Sequence, residues 1–246
     1  MIVGIIPARY ASTRFPGKPL IDIEGKTMLQ RVYEQASKSK LLSKVVAATD
    51  DERVYNHVKD FGGNVVMTST NHPSGTDRCW EALQQLEDAY NYVINIQGDE
   101  PFIEPEQIDE LGAVLQDEAT ELATQMVAVD SYEMLFDKGE VKIVLNKNNE
   151  ALYFSRTVIP FIKGVDEKEW HKHHQYYRHV GMYAYRKDIL EKITQLPVSS
   201  LEKAESLEQL RWVENGFAIK CVVTKYESHC IDTPEDIAKV LKMLKH

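Results

Sequence analysis

Three cations in one short, proline-punctuated stretch and two aspartates that follow apolar runs are the residues with the most chemistry to offer. In "IIPARYASTRFPGKPL", residues 5–20, Arg9, Arg14 and Lys18 stand among Pro7, Pro16, Gly17 and Pro19. Prolines at that density forbid a regular helix, so these charges belong to a loop and not to the solvated face of a helix. Arginine can fork onto phosphate oxygens and lysine adds a point charge, while Ser12 and Thr13 supply hydroxyls beside backbone amides. The stretch fits neither G-x-G-x-x-G nor G-x-x-x-x-G-K-[ST], which argues against a dinucleotide enzyme and a P-loop kinase. A plain surface loop whose cations pair with nearby acids is the alternative.

The aspartates occur in "INIQGDEP" (residues 94–101) and "CIDTPED" (residues 230–236). In the first, an apolar run ends at Gln97, Gly98 and Asp99, with Gly98 permitting close backbone approach and Pro101 stopping the strand. In the second, Thr233, Pro234 and Asp236 read as N-cap, first turn and N3 of a helix, which leaves Asp232 at a strand tip. Two carboxylates so placed could share a hard cation such as Mg²⁺, which takes one or two protein carboxylates and completes its shell with phosphate and water. An ordinary acidic turn is the alternative for each. His171, His173 and His174 in "HKHHQYYRH" invite a zinc reading, but no second Cys or His cluster with matching spacing accompanies them.

The elements that must position these groups alternate from the start. "MIVGII", "KVVAATDD", "NVVMTS" and "YVINIQGDEP" read as strands, and "MLQRVYEQASKS", "DERVYNHVKDFGG" and "SGTDRCWEALQQLEDA" as the helices between them. That order predicts a mostly parallel sheet wrapped by helices, with the basic loop at the carboxyl end of the first strand, where open α/β sheets bind ligands. Beyond "PEQIDELGAVLQDE" the order loosens into "LATQMVAV", "VKIVL", "ALYFSR" and "HVGMYAYR". The segment from about 160 to 178 reads as an excursion or interface arm. A helix "SLEKAESLEQLRWVEN", a strand "FAIKCVVT" and a helix "TPEDIAKVLKMLK" follow.

At 43% hydrophobic and 27% charged residues the 246-residue chain can bury a full core, and residues 1–246 read as a single domain. Its net charge of −9 argues against nucleic acid as a partner. No apolar run has membrane length and the first residues carry no secretory pattern, so a cytoplasmic location without membrane association is expected. Cys79, Cys221 and Cys230 are too dispersed for a disulfide framework and read as reduced thiols.

Taken together, "IPARYASTRFPGKPL", "ATDDERV", "SGTDR", "NIQGDEP", "ALYFSR", "RHVGMYAYR", "SLEQLR" and "IDTPED" resemble, in the same order and nearly end to end, the 3-deoxy-manno-octulosonate (Kdo) cytidylyltransferases. The resemblance implies a nucleotidyltransferase α/β fold: a mixed, mostly parallel, Rossmann-like sheet flanked by helices, with a smaller irregular lobe at about 130–190 serving the sugar site and dimer contact. It implies a homodimer that uses CTP, Kdo and Mg²⁺ to make CMP-Kdo and pyrophosphate for lipopolysaccharide synthesis. Ala8, Arg9, Ser12, Arg14, Lys18, Ser74, Gly75 and Arg78 would then meet the nucleotide. Asp99 and Asp232 would bind Mg²⁺ and, with Lys18 and Arg14, form the catalytic set. Gln97, Arg156, His179, Tyr183, Glu208 and Gln209 would surround the sugar, with Arg156 on its carboxylate. Cys230 has no role in this pattern. A cytidylyltransferase for sialic acid or 8-amino Kdo, and a non-catalytic nucleotide-binding regulator, are the competing readings.

Overall fold

The expected alternation is present in the computed structural model, which describes residues 1–11, 15–227 and 230–243. Strand β1 (Ile2–Ala8) runs into the basic loop, then a small hairpin of β2 (Asp22–Ile23) and β3 (Lys26–Thr27), and helix α1 (Met28–Ala36). Next come β4 (Leu42–Thr49), α2 (Glu52–Asp60), β5 (Val65–Met67), α3 (Gly75–Gln84), β6 (Tyr92–Asn95) and α4 (Pro105–Val114). The irregular stretch contains β7 (Leu122–Ala128), α5 (Tyr132–Phe136), β8 (Lys142–Leu145), β9 (Ala151–Ser155) and α6 (Trp170–His173). The long β10 (Tyr177–Arg186) then leads to α7 (Lys187–Thr194), α8 (Ser200–Glu205), α9 (Gln209–Glu214), β11 (Lys220–Val223) and α10 (Pro234–Met243).

Seven strands lie in the order β11-β7-β10-β6-β1-β4-β5, and β8 and β9 extend from β10 to make nine. The pairings β1–β4, β1–β6, β4–β5 and β7–β11 are parallel, whereas β10 runs antiparallel to both β6 and β7. Because β4 follows β1 on one side and β6 joins it on the other, the chain reverses its winding between β1 and β6. That is the switch point where a crevice opens beyond the carboxyl ends of the strands.

Alternation along the central strands explains the two layers. Val3, Ile5, Val46 and Ala48 pack in one cluster with α3, α7 and α9, whereas Ile6, Ala8, Val45 and Ala47 pack in the other with α1, α2 and α4. Helix α1 buries Leu29, Val32 and Ala36, the spacing of one helical face. Segment 160–178 packs onto the body around Trp170 and Tyr176, which share a small cluster with Val129 and Leu135.

One sequence expectation needs correction. The continuous helix read over residues 200–215 is two helices, α8 and α9, separated at Ser206, whose φ of +55° is left-handed. A capping box at Ser199 and Glu202 starts α8, and Glu202 also takes the Arg211 guanidinium at 2.7 Å, so the two short helices fold back on each other. The break turns Leu207, Glu208 and Gln209 toward the crevice.

Candidate active site

Two adjoining cavities open at the switch point. The larger, about 420 Å³, lies beyond the ends of β1 and β6 and is lined by Ala8, Arg9, Lys18, Gly98, Asp99 and Asp232 among others. The basic loop is closed at its base by the Gly17 amide donating to the Tyr10 carbonyl at 2.9 Å, with Gly17 in the left-handed region at φ +76°. The Arg53 guanidinium stacks over the Tyr10 ring at 3.4 Å and pins that base to the start of α2. Lys18 then enters a short 3₁₀ turn, Lys18–Leu20, anchored by buried Pro19. Arg9 donates to the His72 carbonyl at 2.5 Å, on the loop leading to α3. Ser12 and Arg14, expected at the phosphates, lie outside the described residues, as does Thr13.

Lys18 reaches both expected metal ligands, with Nζ 2.8 Å from Asp99 Oδ2 and 3.0 Å from Asp232 Oδ1. Burial works against its charge, but the two carboxylates outweigh that and raise the ammonium above its ordinary value of 10.5. The aspartates come together through the backbone, because the Ile231 amide donates to the Asp99 carbonyl at 2.9 Å. Asp236 Oδ2 accepts from the Asp232 and Thr233 amides at 3.2 and 3.0 Å, which starts α10. Asp232 thus lies on the loop that enters α10 and not at the strand tip expected from the sequence, because β11 already ends at Val223. Cys230 lies on the same junction, its thiol donating to Glu100 Oε1 at 3.4 Å. Gly98 is required here, since a Cβ would lie 3.0 Å from the Pro7 carbonyl oxygen.

The donor set fits a hard divalent cation. Two carboxylates converge on one point, and a positive charge, the Lys18 ammonium, already stands between them. No group of three or more His, Cys, Asp or Glu side chains suited to a metal occurs among the described residues. A cation here would therefore depend on phosphate and water for the rest of its shell, the usual habit of Mg²⁺.

The second cavity, about 280 Å³, shares Pro7, Gly75 and Gln97 with the first, and its walls include His179, Tyr183, Glu208 and Gln209. Glu208 Oε2 accepts from Thr76 Oγ1 at 2.8 Å. Burial raises the Glu208 carboxyl above its usual range, against the hydrogen bond from Thr76, which favours its charged form. Burial, together with the Arg178 charge, lowers His179 to about 3, so its ring is neutral at physiological pH. Tyr183 and His179 lie ring against ring at 5.2 Å, and Trp212 meets the Tyr183 ring edge-on at 5.0 Å from behind. This half is a polar pocket on an aromatic floor.

The geometry spends three expected site residues elsewhere. Arg78 is fully buried, its guanidinium held by Thr68 Oγ1 at 2.6 Å and Asp50 Oδ2 at 2.8 Å, so it ties α3 to the ends of β4 and β5 and lines neither cavity. Arg156 also lies outside both linings. It donates to the Glu205 carbonyl at 2.9 Å, at the carboxyl end of α8, just before the residues that turn into the cavity. Ser74 caps α3, its hydroxyl bonding Asp77 Oδ2 at 2.6 Å. In each case a nearer partner takes the polar group.

The sequence reading missed Asn95, Thr76, Gly181 and Leu207, all of which line the second cavity. Asn95 could have been found, because it stands two residues before Gln97 on a strand and so shares its face. Thr76 lies beside Gly75 in the same quoted motif. Gly181 could have been found in the same way, standing between His179 and Tyr183 on one strand, whereas Leu207 depends on the helix break.

The sequence matches the cytidylyltransferase family model over residues 3–227. It is 56% identical over 246 residues to the 3-deoxy-manno-octulosonate cytidylyltransferase of Parabacteroides distasonis, covering 98% of this chain and 97% of that one. To the protein of the same name from Cytophaga hutchinsonii it is 54% identical over 240 residues, covering 97% and 96%. The solved structure of a CMP:2-keto-3-deoxy-manno-octonic acid synthetase complexed with CTP has a TM-score of 0.91 at 41% identity and covers 99% of this chain and 98% of that one. The mixed, mostly parallel sheet with helices on both faces is thus the nucleotidyltransferase fold. With the match running through both cavities and nearly the full length, the chain belongs to the 3-deoxy-manno-octulosonate cytidylyltransferase family.

Proposed function

We propose that the protein transfers the cytidylyl group of CTP to the anomeric hydroxyl of 3-deoxy-D-manno-octulosonate, giving the CMP-sugar and pyrophosphate. The observation that carries this reading is the pair of adjoining cavities, one lined by cations and carboxylates and one by amides, aromatic rings and the Glu208 carboxyl, meeting at Pro7, Gly75 and Gln97. A triphosphate suits the first and a polyhydroxylated acid the second, so their shared edge is where the two reacting atoms would meet. The sugar hydroxyl would attack the α-phosphorus in line, the bond to the β-phosphate would break, and pyrophosphate would leave on the side of Arg9 and Lys18.

Reactions of this class depend on positioning and on meeting charge on the phosphoryl oxygens, so no covalent nucleophile is needed. Among the described residues the cysteines offer none: burial pushes the Cys79 and Cys230 thiols far up, and Cys221 up to about 12, which leaves all three protonated. Lys18, held by its short turn, supplies positive charge beside the phosphates, and Arg9 needs only to exchange the His72 carbonyl for a phosphate oxygen. Asp99 and Asp232 would hold Mg²⁺, which when bound draws electron density from the phosphate oxygens. Gln97, His179, Tyr183, Glu208 and Gln209 would orient the sugar, and Arg156 would act from behind by holding the end of α8. A homodimer working in the cytoplasm, with residues about 130–190 contributing to the sugar site and the dimer contact, completes the reading. No helix among the described residues is long and apolar enough to cross a membrane.

Pyrophosphate release measured over a panel of nucleotides and sugar acids tests the proposal. Turnover is expected with CTP plus Kdo and far less with sialic acid or 8-amino Kdo. Equal or better turnover with another sugar acid would reassign the substrate, and CTP binding without turnover on any acid would favour the non-catalytic reading.

A further inference from the structure

Thr124 is fully buried on β7, the strand beside β10, at a place where β10 leaves its ladder. Val180 pairs with Gln125 and Tyr183 with Thr124, so Gly181 and Met182 are extra residues with no register partner on β6 or β7. This bulge does two things. It leaves Gly181 and Met182 without ladder partners at the edge of the second cavity, which His179, Gly181 and Tyr183 line. It also turns main-chain carbonyls toward Thr124, whose Oγ1 lies 2.9 Å from the Met182 oxygen and 3.2 Å from the Val180 oxygen. The same Oγ1 lies 2.9 Å from His179 Nε2.

One hydroxyl with three such neighbours leaves a single consistent proton arrangement. Thr124 has one hydrogen to give, and carbonyl oxygens can only accept. If that hydrogen went to His179, the hydroxyl lone pairs would face two carbonyl oxygens inside the protein, away from water. The hydrogen therefore goes to the bulge carbonyls, and Oγ1 accepts from a protonated Nε2. In a neutral imidazole the other nitrogen, Nδ1, is then an acceptor. Among the described residues no protein group bonds Nδ1, and the ring borders the cavity.

We propose that Thr124 is a positioning residue that fixes the tautomer of His179, so that the cavity presents Nδ1 as a hydrogen-bond acceptor to a hydroxyl of the sugar acid. This rests on the sugar-side reading of that cavity. It makes His179 a reader of donors: a hydroxyl satisfies it, and an analogue with that hydroxyl replaced by hydrogen, fluorine or an ether does not. Thr124 touches no substrate and acts only through the ring and the bulge.

Nitrogen-15 spectra of the histidine rings in the full-length protein, with the His179 signals assigned by their loss in His179→Gln, test the proposal together with steady-state kinetics. Wild type and Thr124→Ser, which keeps the hydroxyl, should both show a pyrrole-type Nε2 and a pyridine-type Nδ1. Thr124→Val should mix the tautomers and raise the KM for the sugar acid about tenfold, the scale of one lost hydrogen bond, with the KM for CTP unchanged. Should Thr124→Val fail to fold, the wild-type spectrum and Thr124→Ser still decide. A pyridine-type Nε2 in the wild type overturns the proposal, as does a Thr124→Val protein that keeps both the tautomer and the sugar KM. If the tautomer is as stated but His179→Gln leaves the sugar KM untouched, the sugar-side reading of the cavity fails, and the role proposed for Thr124 in recognition fails with it.

Discussion

The cavity beyond β1 takes its charged groups from three short loops, each a contiguous stretch of sequence, whereas the adjoining cavity takes its walls from β6, α3, β10 and the junction of α8 with α9. Charges in the first stay partly open to solvent, with the Asp99 and Asp232 side chains 28% and 39% exposed. Such groups can exchange one partner for another when a triphosphate arrives. The second cavity holds its polar groups against an aromatic floor, in fixed hydrogen bonds and with a neutral imidazole. The difference teaches that one site can combine a half that rearranges around charge with a half that is set in advance by packing.

Removing charge from the first half should have the largest effect. Asp99→Asn and Asp232→Asn should each lower turnover by about 10²–10³-fold or more with the fold intact, since each deletes a hard anionic ligand on a partly exposed loop. Turnover assays with and without a chelator, beside circular dichroism, check this. Chelator-resistant, wild-type turnover in either variant would remove the metal from the account. Lys18→Met comes next, with turnover reduced by about 10²-fold and the loss concentrated in the use of CTP. A Lys18→Met protein that melts early but turns over normally would make the loop structural.

How much of this was legible follows from where each half comes from. The basic loop, "NIQGDEP" and "IDTPED" could be read directly, because residue type and neighbours alone mark cations and aspartates on loops, although Asp232 lies on the entry to α10 and not at a strand tip. The parallel half of the sheet was legible for a similar reason: its strands are short apolar runs separated by amphipathic helices. The helix break at Ser206 was not, because "SLEKAESLEQLRWVEN" has good helical periodicity throughout. The left-handed turn is set by tertiary partners, Glu202 to Arg211 and Arg156 to the end of α8. Arg78 shows the same limit from the other side, since a cation inside a nucleotide motif reads as a ligand until its burial against Asp50 is seen. The bulge at Gly181 and Met182 depends on register with two neighbouring strands, which no single strand records.

Smaller effects sharpen the contrast from the second half. His179 has its pKa lowered from 6.5 to about 3 in the folded protein, so below about pH 6.5 the unfolded chain binds a proton that the native state does not. Stability should therefore fall as pH falls from about 6.5 toward about 3, and His179→Gln should flatten that fall by up to one proton. Denaturant titrations of both proteins across the window measure it, and identical pH slopes would contradict the neutral imidazole. The smallest change is expected from Ser206→Gly. Relief of the left-handed backbone, offset by the greater freedom of glycine in the unfolded chain, should raise stability by about 0.5–1 kcal/mol with little change in turnover. A drop in melting temperature would mean that the serine side chain itself holds the break.

The division of the site is tested most directly by measuring the KM for CTP and for the sugar acid in two variants side by side, Lys18→Met and His179→Gln. The account predicts a crossed pattern: Lys18→Met impairs the use of CTP and spares the sugar KM, and His179→Gln does the reverse. Both substrates affected equally in both variants, or the pattern reversed, would contradict a site made of a nucleotide half and a sugar half.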